Sequence, residues 1–249
     1  MSELLQIERL FTGISTFDAI LGGGVPKGSM VVFGGPPGSA KTILSQQIGF
    51  NIAALDKKVL YIHTLSEPTI KILLYMQQFE FFDRKKFDES VKFIDLGMIL
   101  KSKGLEAAAG MIMKHVKHEN PALTVIDSFR VFEDLAGSNE DLRKFTYQLL
   151  VNLIAWESTT LLLGEFASED IKTNPLFSGV DGIVMMAQEE IVGENRRFLQ
   201  VLKLRGSAHN RDRHPFIVDQ SGIKIYAPSV TISREVNKVD KPQALTTIR

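Results

Sequence analysis

The sequence predicts an α/β fold with a mostly parallel central sheet flanked by helices and an antiparallel extension of C-terminal strands. Three observations carry this. Short apolar runs alternate with amphipathic stretches through the first two thirds of the chain, as in a parallel sheet covered on both faces. Residues 35–42, GPPGSAKT, join an apolar run to an amphipathic one, as a phosphate-binding loop joins strand to helix. In the last third, apolar runs follow one another with only turn residues between them.

The elements follow in order. Residues 13–24 (GISTFDAILGGG) read as a short helix that Ser15 or Thr16 caps and the glycines end. The run 30–33 (MVVF) is a buried strand, and 42–54 a helix with Ile43, Ile48 and Ile52 among its apolar positions. Residues 58–64 form a second strand, 69–78 an amphipathic helix, 79–89 a connector mixing aromatics with charges, and 91–95 a third strand. A helix over 106–117 leads to the strand 123–127 (LTVID), which ends in an acid. The helix 140–156 places Leu142, Phe145, Leu149 and Leu153 on one face, and the buried strand 160–165 follows. Strands over 182–187, 198–204 and 216–226 come last, with turns at 193–195 and 220–222. Residues 1–228 are expected to form one domain and 229–249 a polar tail, with one short strand over 229–232.

The loop carries the most specific chemistry. Gly35, Pro36, Pro37, Gly38, Ser39, Ala40, Lys41 and Thr42 meet the phosphate-loop pattern at seven of eight positions; Ala40 stands where the second glycine normally sits. Glycines let backbone N–H groups curl around a polyphosphate, and the following helix turns its N-terminus toward it. Lys41 would reach the β- and γ-phosphates and the Thr42 hydroxyl would ligate magnesium. A helical φ at Ala40 would tolerate its methyl group; a positive φ would not.

Composition narrows the field. A length of 249 residues suits one large α/β domain, and the absence of cysteine excludes disulfides, thiolate metal sites and cysteine nucleophiles. No apolar run is long enough to span a bilayer and the N-terminus lacks a signal-peptide layout, so no membrane and a cytoplasmic setting are expected. Lysine plus arginine equals aspartate plus glutamate, so no global field attracts nucleic acid. Arg205, Arg211 and Arg213 make a local basic patch, more readily read as a solvated surface than as a DNA site.

Other residues have two readings each. Asp127 ends a strand where a parallel sheet presents its ligand crevice, so it either joins a magnesium shell or caps the next segment. Glu67 follows the second strand: it either orients the attacking water or is a helix N-terminal acid beside Pro68. Glu165 is a second candidate for sensing a γ-phosphate. Lys203 and Arg205 alternate on one strand face before Gly206, as a phosphate clamp or as a solvated edge. His63, His115 and His118 read as structural; no further ligand of the right kind accompanies them.

Three stretches carry a family resemblance: GISTFDAILGGGVPKGSMVVFGGPPGSAKT, LTVIDS, and VDGIVMM with FLQVLKLRGSAH and FIVDQSGIKI. Together they resemble a single KaiC-type domain of the RecA-like P-loop ATPases over residues 8–226. The resemblance implies ATP or ADP with Mg2+, and a homo-oligomer, commonly a hexameric ring, with nucleotide between neighbouring subunits. Lys203 and Arg205 would act in trans. Leu204, Ser207, His209, Val218 and Asp219 match family positions near the nucleoside, as does Gln78. It also favours Glu67 as the catalytic carboxylate, although Ser66-Glu67 stands where clock members carry two glutamates. With the Ala40 departure, this implies a slow ATPase acting as a regulatory switch, with a regulatory protein partner not identified by the sequence. The alternatives are a RecA-paralogue-like DNA-binding accessory ATPase and a nucleotide-gated scaffold without significant hydrolysis. Autophosphorylation at Ser229, Thr231 or Ser233 is a further reading.

Overall fold

The computed structural model describes residues 6–64 and 69–228. Glu67, Ser66 and the tail from residue 229, with its expected strand and candidate phosphorylation sites, lie outside the described residues. The chain opens with β1 (Arg9–Leu10), α1 (Ser15–Ile20), β2 (Val25–Pro26), β3 (Met30–Gly34) and α2 (Lys41–Ala53). It continues with β4 (Val59–His63), α3 (Thr69–Met76), α4 (Arg84–Glu89), β5 (Val91–Asp95) and α5 (Gly97–Glu119). Next come β6 (Leu123–Asp127), α6 (Arg130–Leu135), α7 (Asn139–Ala155), β7 (Thr159–Gly164), α8 (Asp170–Thr173) and α9 (Leu176–Gly179). The last strands are β8 (Gly182–Ile191), β9 (Glu194–Leu204), β10 (Arg213–Asp219) and β11 (Gly222–Ile225).

Nine strands form one sheet in the order β11-β10-β9-β8-β3-β7-β6-β4-β5, and β1 pairs with β2 separately. From β8 to β5 all neighbours are parallel; β9, β10 and β11 add antiparallel pairs. The mixed sheet predicted from the sequence is therefore present. Alternation along the strands sorts the core into two layers. Val31, Phe33, Val59, Tyr61 and Val125 pack on the α2 side, while Met30, Val32, Leu60, Ile62 and Ile126 pack on the α5 and α7 side. On α7, Leu142, Phe145, Leu149 and Leu153 are buried as the periodicity requires.

Local differences have local causes. Ile14, not Ser15 or Thr16, occupies the N-cap of α1 and makes no side-chain cap bond. Thr12 N–H instead donates to Asp18 Oδ1 at 2.8 Å. The helix expected over 106–117 begins at Gly97; Gly104, at φ 76° and ψ −169°, breaks its course and hides the first turns from a periodicity count. The 79–89 connector holds α4, whose N-terminus the Asp83 side chain caps. The strands seen as 182–187 and 198–204 are the apolar halves of a longer hairpin, β8–β9. Its polar halves pair Glu189 with Arg196 and Gln188 with Arg197, and it turns at Val192 and Gly193, both at positive φ.

Candidate functional site

The phosphate loop leaves the carboxyl end of β3, in the middle of the sheet, and runs into α2. Gly35 has no tolerable substitute, because a Cβ there would overlap the carbonyl oxygen of Met186 on β8. Ser39 is buried under the loop. Ala40 sits at φ 70° and ψ 22°, the left-handed conformation that a glycine adopts freely and an alanine at a cost of about 1–2 kcal/mol. The intolerant case posed by the sequence is thus the one observed. Lys41 Nζ folds over the loop and donates to Gly35 O at 2.8 Å, Pro36 O at 2.9 Å and Ser39 Oγ at 3.2 Å. Burial lowers its pKa from the usual lysine value, while Glu165 and Asp127 act in the opposite direction. Exchanging these neutral acceptors for phosphate oxygens would strengthen each bond.

Asp127 ends β6 on the α2 side, as its strand position predicts. Thr42 Oγ1 donates to Asp127 Oδ2 at 2.8 Å, and Tyr61 Oη donates to the same oxygen at 3.1 Å. This all-oxygen pair fits magnesium, which takes one or two protein oxygens and completes its shell with water and phosphate. Among the described residues no group of three or more His, Cys, Asp or Glu could hold a metal ion.

Lys41, Thr42, Asp127, Glu165, Arg197 and Val218 line one cleft of about 640 Å³. Asp219 follows Val218 at the same end of β10; Ser221 and Lys224 hold its carboxylate and lower its pKa, the lysine bond contributing most. Gln78 is exposed and donates to Leu74 O at 3.3 Å, and the nearby Glu80 N–H donates to Gln220 O, which places it beside the β10–β11 turn. Arg197 was not legible as a site residue. In sequence it sits in a polar strand half; only its pairing with Phe216 in β10 brings it to the cleft. Its Nε is buried and makes no hydrogen bond.

Lys203, Leu204, Arg205, Ser207 and His209 lie elsewhere. β9 runs antiparallel to β8, so Leu204 pairs with Gly182, and Arg205 N–H donates to Asp181 O. Asp181 in turn bonds Met30, the first residue of β3. The whole of β3, about 13 Å of strand, therefore separates Arg205 from the phosphate loop that follows Gly34. Lys203 Nζ donates to Val180 O at 2.6 Å and Phe177 O at 3.2 Å, and Arg205 pairs with Asp181 at 3.3 Å. Burial, then the charge of Arg205, lowers the Lys203 pKa. Ser207 Oγ donates to Leu21 O, and His209 Nδ1 lies 3.1 Å from Ser207 O with its Nε2 buried and unpartnered. The predicted site residues that the structure describes thus form two groups at opposite ends of the sheet.

The family model described as "ATPase: KaiC" matches residues 10–230. A UPF0273 protein of Thermotoga maritima is 30% identical over 242 residues, covering 89% of this chain and 97% of that protein. The circadian clock oscillator protein KaiC of Synechococcus elongatus is 27% identical over 238 residues, which span 90% of this chain and 45% of that protein. The crystal structure of a KaiC-like protein from Pyrococcus horikoshii superposes with a TM-score of 0.78, covering 89% of this chain and all of that one at 23% identity, and supports the fold. With a phosphate loop at the centre of a RecA-like sheet and a match over nearly its whole length, the chain belongs to the KaiC ATPase family.

Proposed function

We propose that this protein binds ATP with Mg2+ and hydrolyses it slowly between neighbouring copies of itself, in a ring, as a nucleotide-dependent regulatory switch. The observation that carries the reading is the separation of the two residue groups. A side chain about 13 Å of strand away from its own phosphate loop does not reach the γ-phosphate bound there, whereas a neighbour that docks its Lys203–Arg205 edge on the cleft would supply both cations.

In this reading Lys41 and the backbone N–H groups of the loop other than Pro36 and Pro37 hold the β- and γ-phosphates, and Thr42 and Asp127 hold the cation. Arg197 donates its unpaired Nε–H to the bound nucleotide, Val218 and Asp219 flank the nucleoside with Gln78 nearby, and Glu165 senses the γ-phosphate. Glu67 positions water for in-line attack. Magnesium, when bound, offsets the negative charge that builds on the phosphate oxygens. The neighbour's Lys203 and Arg205 stabilise the same charge, and its Leu204, Ser207 and His209 complete the nucleoside pocket. The positive φ of Ala40 favours a second reading, a nucleotide-gated scaffold with negligible hydrolysis, because the strain opposes the loop geometry that would hold the γ-phosphate for attack.

Light-scattering mass with and without Mg-ATP, with phosphate release followed in the same samples, separates these readings. ATP-dependent assembly with release that requires both Lys41 and Arg205 supports the shared site. Assembly without release supports the scaffold. A monomer that releases phosphate at the same rate without Arg205 overturns both.

A further inference from the structure

Tyr61 stands on β4 facing α2, in register with Val125 on β6 and diagonal to Asp127. It is 2% exposed, and its ring stacks on Phe93 at a centroid distance of 4.9 Å. Phenylalanine would fill such a position at lower cost, because a buried hydroxyl must find a partner. The Tyr61 hydroxyl finds two: Asp127 Oδ2 at 3.1 Å and Ser45 Oγ at 3.0 Å. Ser45 Oγ also lies 2.9 Å from Thr42 O, one turn back on α2.

The protons in this cluster have a definite order. An ionised carboxylate only accepts, and tyrosine has one proton, so that proton points at Asp127. Ser45 then donates to the phenol oxygen or to Thr42 O. One carboxylate oxygen thereby receives both Tyr61 Oη and Thr42 Oγ1. Donating its proton there turns the lone pairs of the Thr42 hydroxyl away from Asp127.

We propose that Tyr61 is a positioning residue for the cation half of the nucleotide site: its hydroxyl fixes the Asp127 carboxylate, and through it the Thr42 hydroxyl, in the orientation that receives a divalent cation. Tyr61 itself touches neither cation nor nucleotide. The inference rests on the magnesium–nucleotide reading above, and the two are separable by experiment.

The test is the cation dependence of nucleotide binding in the full chain. A fluorescent, non-hydrolysable ATP analogue is titrated in EDTA and then across a range of Mg2+, with Mn2+ followed by electron paramagnetic resonance. Tyr61→Phe keeps the ring and its stack but removes the hydroxyl. It should raise the half-saturating cation concentration about tenfold, the lower end of the usual effect of removing such a partner, and leave affinity in EDTA unchanged. Ser45→Ala should move it in the same direction by a smaller factor, and keeps the test open if Tyr61→Phe does not fold. Phe93→Leu, which disturbs the ring packing on Tyr61 and Phe87 and leaves the Tyr61 hydroxyl in place, should lower thermal stability without moving cation dependence. A cation requirement lost in Asp127→Asn but unaltered in Tyr61→Phe and Ser45→Ala overturns the role of Tyr61 alone. Equal shifts in Phe93→Leu and Tyr61→Phe make the effect one of packing and also overturn it. Nucleotide binding that ignores the cation in the unmodified protein overturns the magnesium reading instead.

Discussion

The two ends of the central sheet are built on opposite plans. At the carboxyl end of β3 the binding groups are largely main chain, held in conformations that cost energy: Ala40 at positive φ and a Lys41 ammonium satisfied only by its own loop. At the other end the proposed binding groups are side chains, each tied down by internal bonds. Lys203 is anchored on two carbonyls, Arg205 on Asp181, and Ser207 on the Leu21 turn. In the proposed function a polyphosphate replaces the internal bonds of the first end, and the second presents its fixed charge to a neighbouring copy. On the proposed reading the difference teaches why a copy-to-copy contact is needed: it would join the two ends as complementary halves of one site.

The sharpest way to break the comparison is Arg205→Ala. Loss of a trans arginine is expected to slow phosphate release about 10³-fold while leaving nucleotide affinity of the separated subunit nearly unchanged. Folding should suffer little, since the Arg205–Asp181 pair is over half exposed on the arginine side. Lys41→Ala strikes the other end and is expected to weaken nucleotide binding about 100-fold, the value of a few charge-assisted bonds. Mixing the two variants then discriminates directly. Mixed rings contain interfaces with an intact Lys41 facing an intact Arg205, so release should partly recover. No recovery at any ratio would place both residues in one subunit's site.

Arg197→Ala tests whether the cleft end also uses a side-chain cation. Its unpaired Nε predicts about a tenfold loss of nucleotide affinity, read by titration of the fluorescent analogue, with no change in ring mass. Unchanged affinity would mean that Arg197 serves only the β8–β9 hairpin.

How much of this could be read in the sequence depends on the range of the interactions. The loop, the strand before it and Asp127 at the end of β6 were legible because each is a local pattern: a glycine-rich run, an apolar run, an acid at a strand end. The α7 face was legible from periodicity. Tyr61 and Arg197 were not, because Tyr61 reads as core in an apolar strand and Arg197 as surface in a polar one. Only the register β4–β6 and β9–β10 brings them to Asp127 and the cleft. The wide separation of Arg205 from Lys41 likewise depends on β9 turning back along β8, a pairing set by the positive φ at Val192 and Gly193.

The smallest effect concerns Ala40, and it sharpens the contrast between a strained end and a relaxed one. An alanine at φ 70° costs about 1–2 kcal/mol relative to a right-handed conformation, whereas glycine pays about 0.5–1 kcal/mol of extra chain entropy on folding. Ala40→Gly should therefore stabilise the nucleotide-free protein by roughly 0.5–1 kcal/mol, a rise in melting temperature of about 1–4 °C for a chain of this size. Nothing else at the position needs to change, because only the Ala40 methyl group is removed. If strain in the loop is what slows the chemistry, the same substitution should also raise phosphate release, and the scaffold reading would lose its support. A variant more stable but no faster would show that loop strain does not set the rate. No gain in stability would mean that the loop around Ala40 relaxes to a negative φ in solution, and the strained end of the comparison would disappear.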